Sequence, residues 1–192
     1  MENNTAFQEK LLHQQPAAWD QLPDFSLYMD QVLSYIDRQV IHQGEADSLT
    51  SAMVNNYAKH GLIPRAEGKK YNRDHLAYLT AICILKKVMP SKDMDLLIRT
   101  GLQGERSISD VYDEFCSALG RELRAAAEEI DRFSPDRDIA DTAIHFALIS
   151  YAASVCCNHF VNLLREQKSA AEAAEKDAKK AAKQKAKEAK GK

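Results

Sequence analysis

The chain has 192 residues, 45% hydrophobic and 28% charged, which is enough apolar material for a real core in one or two domains. With only 7 Gly and 5 Pro it lacks the turn residues of an all-β sandwich or a doubly wound sheet, so the expected class is all-α. The net charge of -2 speaks against a nucleic-acid partner until it is divided: residues 1–48 carry -6, 49–98 carry +4, 99–168 carry -4 and 169–192 carry +4, while 49–89 alone reach +5.

Thr5 to Gln15 reads as a short amphipathic helix with Phe7, Leu11 and Leu12, ended by Pro16. Asp24 is expected to cap the next helix, with Leu27, Val32, Tyr35, Ile36 and Val40 inside and a stop near Gln43-Gly44. Thr50 caps a short helix over Ser51 to His60, and Gly61 ends it at the first position past its cap. Leu62-Ile63-Pro64 leaves as an extended segment, because the residue before proline avoids the helical region. A basic turn follows, and Asn72 caps a helix over Arg73 to Val88 with core positions Leu76, Leu79, Ile82 and Leu85. Ser91 caps a further short helix with Met94, Leu97 and Ile98 inside, and Gly101 and Gly104 mark a break.

Two long helices come next. The first runs from about Ser109 to Phe133, with Ser134-Pro135 as the turn after it. The second starts near Pro135 or Asp136. In the second, Ile139, Ala143, Phe146, Ser150, Ala153, Cys157, Phe160 and Leu164 recur at alternating spacings of four and three, a heptad seam. Ile144, Leu148, Tyr151 and Val155 make its other side apolar too, so this helix needs cover on both sides. Thr142 to Leu164 holds no charged residue over 23 positions, long enough to span a membrane. His145, Asn158, His159 and Asn162 within it point instead to a central bundle helix and no membrane partner. The Ala/Lys-rich stretch 168–192 has nothing large to bury, and reads as a solubilising tail or a basic arm.

The domain plan is therefore an N-terminal extension (1–22), a compact domain (23–100), a long-helix hairpin or bundle (105–167) for dimerisation or an effector, and the tail. The start, MENNTAFQEK, lacks a basic run followed by an apolar one, and the four cysteines, Cys83, Cys116, Cys156 and Cys157, have no C-x-x-C spacing. A cytoplasmic chain with free thiols is expected. No glycine-rich phosphate loop, G-x-S-x-G, H-E-x-x-H or framed carboxylate pair occurs, so neither an enzyme nor a cofactor is expected. Asp136 and Asp138 read as helix-start charges.

The segment from Leu49 to Ile98 holds the most specific pattern. Thr50-Ser-Ala-Met-Val-Asn-Asn-Tyr-Ala-Lys-His-Gly-Leu-Ile-Pro64 resembles the recognition helix of MerR-type winged helix-turn-helix regulators, which read as a capped helix with Arg-Tyr-Tyr, then Gly-Leu-Leu or Gly-Leu-Ile, then Pro. Lys69-Lys70-Tyr71-Asn72 resembles that family's wing, an Arg-x-Tyr followed by a capping Ser or Thr. The helices around Leu76 to Leu85 and after Pro90 resemble its closing pair. The resemblance covers about a quarter of the chain. Asn55 stands where the family has Arg, Asn56 stands at the first Tyr, and Tyr57 matches; the first helix of the motif is replaced by a longer acidic one. The whole chain also resembles an uncharacterised family of Gram-positive bacterial proteins over most of residues 22–165.

The resemblance implies a winged helix-turn-helix with a minimal β wing and a double-stranded DNA partner. Asparagine pairs bidentately with adenine, so Ser51, Asn55 and Asn56 are the candidates at base edges. Lys59 and His60 at the helix exit, with Arg65, Lys69, Lys70 and Arg73 along the wing, are the candidates at phosphates; Tyr57 and Tyr71 can add hydroxyls while their rings pack. A homodimer would set two such helices about one turn of DNA apart, with an unknown small-molecule effector possible. Two other readings stand beside this one. One is a helical protein-interaction module that kept the winged fold without DNA contacts. The other is a thiol or ligand sensor on helix 139–165, where Cys156, Cys157 and His159 lie close together.

Overall fold

A computed structural model describes residues 2–42, 48–133 and 138–190, with side chains described for 5–42, 48–133 and 138–179. The expected stops and turns at Gln43-Gly44, Ser134-Pro135 and Asp136 lie outside the described residues. The structure is all-helical: α1 (Glu2–His13), a short 3-10 turn (Trp19–Gln21), α2 (Met29–Gln39), α3 (Ser51–Lys59), α4 (Arg73–Leu85), α5 (Ser91–Gly101), α6 (Ile108–Phe133) and α7 (Ile139–Lys190). Among the described residues no strand forms, and β pairing is limited to two isolated antiparallel bridges. The chain divides into two compact units, residues 1–144 and 145–192.

In the first unit α4 is the central rod. His75, Leu76, Ala77, Leu79, Thr80, Ile82 and Cys83 are all buried, so it is covered nearly all round. Around it lie Val32, Ile36 and Val40 of the α2 segment, Val54 and Tyr57 of α3, and Met94 of α5, in one core cluster with Leu62, Ile63 and Tyr71. The inner face expected of α2 is therefore present, but its start is not where the sequence pointed. Asp24 caps nothing; residues 24–28 stay out of the helix because Leu27 pairs with Tyr71. The Leu27 amide donates to the Tyr71 carbonyl at 2.8 Å and the Tyr71 amide donates back at 2.9 Å. Tyr28 then takes the cap position of α2.

The other helix ends follow local chemistry. Asn72 accepts from the His75 amide at 3.3 Å, while His75 Nδ1 accepts from the Asn72 amide at 3.2 Å, closing a reciprocal cap on α4. α4 stops at Leu85, earlier than expected. Lys87 and Val88 make shorter i to i−3 bonds as the chain tightens ahead of Pro90. Pro90, with no side-chain cap bond, precedes α5, whose first residue is Ser91. Gly101 sits inside α5, and the break falls at Gly104, whose φ of +78° needs glycine.

α1 packs along α6 and buries Leu11. Gln8 fixes the pair by donating to the Ala127 carbonyl at 3.1 Å and to Asp131 at 2.6 Å. The 3-10 turn is pinned to α6 as well: the Trp19 amide donates to Asp113 Oδ1 at 2.8 Å, and the Trp19 and Tyr112 rings meet edge to face at 6.3 Å.

The second unit is the rest of α7, which continues as one helix through the Ala/Lys-rich stretch to Lys190. Leu148, Tyr151, Val155 and Phe160 are exposed along it. α7 is long and apolar enough to cross a membrane by length and composition, with a mean hydropathy of 1.4 over its most apolar 18-residue window.

Candidate nucleic-acid interface

α3 is a nine-residue helix defined at both ends by its own sequence. The Thr50 hydroxyl accepts from the Met53 amide at 3.2 Å, satisfying one of the orphan donors of the first turn. At the other end Leu62 donates to the Tyr57 carbonyl at 2.9 Å and Gly61 to the Ala58 carbonyl at 3.2 Å. That is a Schellman closure, which requires a left-handed residue past the cap, and Gly61 supplies it with φ +71°. Arg99 of α5 seals the exit by donating to the Gly61 carbonyl at 3.1 Å while it pairs with Asp95.

Burial then sorts the residues of α3. Val54 and Tyr57 enter the core. Ser51, Asn55 and Lys59, each four residues apart, fall on one exposed stripe; Ala52 and Asn56 flank it, and His60 is exposed just past the helix. This outward face carries three amide or hydroxyl side chains and a lysine.

The basic segment after Pro64 folds into a tight reversal. Glu67 and Lys70 exchange both backbone hydrogen bonds, at 3.0 and 3.2 Å, across Gly68 and Lys69. Both central residues are left-handed, with φ of +56° and +64°, as a two-residue hairpin turn of type I′ requires. Arg65, Lys69 and Lys70 are all exposed there. Lys70 reaches back over the Tyr28 ring, 5.6 Å from its centroid. Tyr71 ties the reversal down through its pairing with Leu27, and its ring meets His75 edge to face at 5.3 Å.

The remaining expected contacts sit differently. Tyr57 and Tyr71 are core residues, 8% and 5% exposed, and burial raises the pKa of each phenol above its usual value. Their main work is packing the two basic elements onto α4. Arg73 is half-buried and lies over the Trp19 ring at 5.6 Å. Trp19, Tyr28 and Arg99, which help position this surface, carry no signal of that role in the sequence, since each acts on a residue far along the chain; Leu27, expected on the inner face of α2, is buried but lies ahead of that helix. In the second unit Cys156 and His159 are exposed and Cys157 is half-buried. Among the described residues no three His, Cys, Asp or Glu side chains come together to hold a metal ion.

Residues 17–115 match the model of a family described as a domain of unknown function, DUF1836. The chain belongs to the DUF1836 family. No curated protein and no solved structure matches it. The DUF1836 match begins just before the 3-10 turn that pins Trp19 to α6, includes all of α2 to α5, and ends on α6 just beyond Tyr112. The exposed face of α3 and the basic reversal both lie inside it, whereas Cys156, Cys157 and His159 lie outside.

Proposed function

We propose that this DUF1836 protein is a cytoplasmic, non-enzymatic DNA-binding regulator of the winged helix-turn-helix kind. In this reading α3 enters the major groove with Ser51, Asn55 and Asn56 toward base edges. The reversal at 65–70 acts as a minimal wing, with Lys59, His60, Arg65, Lys69 and Lys70 meeting phosphates. Tyr57, Tyr71 and Arg73 hold these parts in place. The long helices α6 and α7 form the dimerisation part, and a two-fold axis sets two copies of α3 about one helical turn of duplex apart.

The observation that carries the reading is the pairing of two small basic or polar elements on one core. α3 turns its amide and hydroxyl side chains outward, opposite Val54 and Tyr57, and a lysine-tipped hairpin turn is anchored to the same cluster by Tyr71. Both fall in the segment of charge +5.

Fluorescence anisotropy with a labelled random-sequence duplex tests it. Binding is expected at low salt, weakening steeply as salt rises, because phosphate contacts release counterions. No binding at low salt contradicts the proposal. Sedimentation of the free protein is expected to give a dimer mass, and a monomer removes the two-fold arrangement.

A second reading is favoured by the exposed apolar residues of α7, among them Leu148, Tyr151 and Phe160, and by Asn55 in the place of a family arginine. It makes the chain a helical interaction module that kept the fold without DNA. Under that reading the duplex fails to bind and a protein partner is retained through α7.

A further inference from the structure

Where α4, α5 and α6 meet, the first unit carries a groove of about 230 Å³. Its origin lies in small residues of the central rod. α4 gives the groove Ala77 and Ala81, one turn apart on the same side, and a larger side chain at either place would occupy that space. α5 adds Leu97 and Ile98, and α6 adds Val111 and Phe115. Every lining residue is buried or half-buried, so the groove is recessed below the surface. It differs in this from α7, where Leu148 and Tyr151 stand out into solvent.

The chemistry of the groove is uniform. Among the described residues that line it none is charged, and Tyr78 and Tyr112 supply the only hydroxyls. The Tyr112 hydroxyl is already engaged by the Ala17 carbonyl at 3.0 Å. Burial raises the pKa of both phenols, so both are neutral at physiological pH. Arg99 is the cation that acts on Tyr78, and it is held by Asp95 at 2.7 Å and by the Gly61 carbonyl at 3.1 Å, while Asp74 acts on Tyr78 in the opposite sense. An ionised ligand would leave water here without meeting a counter-charge, whereas an uncharged apolar one gains from leaving water. Size narrows the class further. An apolar cavity of about 150 Å³ holds one benzene ring, so about 230 Å³ holds a pair of fused rings and is too small for a helix or an extended peptide.

We propose that this groove binds a small uncharged aromatic molecule the size of a fused ring pair, lodged between Ile98 of α5 and Val111 of α6 over Ala81 of α4. The assignment does not depend on DNA binding, since no residue of α3 or of the basic reversal lines the groove. The whole lining falls inside the DUF1836 match, so the site belongs to the domain and needs neither α1 nor α7.

The test is calorimetric titration of the full chain with naphthalenemethanol and with naphthoate, which share a ring system and differ in charge. The alcohol is expected to bind saturably, one per chain, and about tenfold more tightly than the anion. Ala81→Leu puts a larger side chain into the groove and is expected to abolish binding of the alcohol while the chain still unfolds cooperatively. A second measurement needs no variant: on the native chain, nuclear Overhauser contacts are expected from the naphthyl protons to the methyls of Ile98 and Val111. Leu148→Asp on α7 controls for adsorption to exposed apolar side chains and is expected to change nothing. An alcohol that fails to bind, binds no better than naphthoate, keeps its affinity in a folded Ala81→Leu, loses it in Leu148→Asp, or makes its contacts with α7 instead overturns the proposal.

Discussion

The Tyr112 hydroxyl donates to the Ala17 carbonyl at 3.0 Å, joining residues 95 positions apart. Ala17 is the first residue of the DUF1836 match and Tyr112 stands three residues from its last. The bond therefore closes the two ends of the domain on each other. Tyr112 is 3% exposed and shares a small buried cluster with Leu22 and Ala77. Tyr112→Phe removes the donor and leaves the carbonyl without it, so a loss of about 1–3 kcal/mol is expected in urea unfolding. The pH dependence follows from the same burial. Desolvation raises the Tyr112 pKa far above its ordinary 10.0. The unfolded phenol ionises first, so the contribution of Tyr112 is complete below pH 10 and is lost as pH rises above it. Unfolding measured on the alkaline side is expected to be less pH-dependent in Tyr112→Phe than in the native chain.

Lys69 offers a way to part stability from binding. Its φ of +64° is a conformation that costs a side-chain-bearing residue about 1–2 kcal/mol. Lys69→Gly relieves that cost, and a gain of about 1 kcal/mol is expected in thermal or urea unfolding. On the DNA reading the same substitution removes a phosphate contact and weakens duplex binding. A more stable protein that binds less well is the expected pair of outcomes; unchanged affinity counts against Lys69 as a wing residue.

The caps of α3 predict a second pair of effects. Thr50→Ala deletes the acceptor of the Met53 amide, and a loss of about 1 kcal/mol is expected. Gly61→Ala forces a side chain into φ +71°, with a loss of about 1 kcal/mol. The added methyl would meet the Arg99 guanidinium only at 3.8 Å, so conformation and not collision sets the cost. Guanidinium titrations of the two single variants and the double variant check both values.

Thiol reactivity should divide the four cysteines. Cys83 is buried among the core side chains, and burial pushes its pKa up to about 11. Little of it is thiolate at neutral pH, and native labelling is expected to be slow. Cys156 is exposed and is expected to be labelled first. Mass mapping after brief treatment with a maleimide checks the order. If Cys83 reacts as fast as Cys156, the core around α4 opens far more readily than its packing implies.

The sequence was most legible where a structural decision is local. Thr50, Gly61 and Asn72 were read as helix ends because capping uses bonds within a few residues, and those bonds are present. The core face of α2 and the buried Leu76, Leu79 and Ile82 of α4 follow from helical spacing for the same reason, whereas the burial of His75, Ala77, Thr80 and Cys83 on its other sides does not. The start of α2 was misplaced because its cause is non-local: Leu27 leaves the helix to pair with Tyr71, 44 positions away. The candidate surface shows the same split. The outward stripe of Ser51, Asn55 and Lys59 follows from periodicity, whereas the burial of Tyr71 and the seat of Arg73 over Trp19 depend on partners that spacing does not reveal. On α7 the heptad spacing of apolar residues was plain, but nothing in a spacing says what those residues face.

The central claim is that the basic reversal meets nucleic-acid phosphates, and the salt dependence of duplex binding tests it most directly. Anisotropy titrations of the native chain and of Lys69→Ala with Lys70→Ala, across a series of salt concentrations, give the two slopes of log affinity against log salt. Each phosphate contact contributes about 0.9 to that slope, so loss of both lysines is expected to weaken binding and to reduce the slope by about two. A double variant with the native affinity and the native slope contradicts the account.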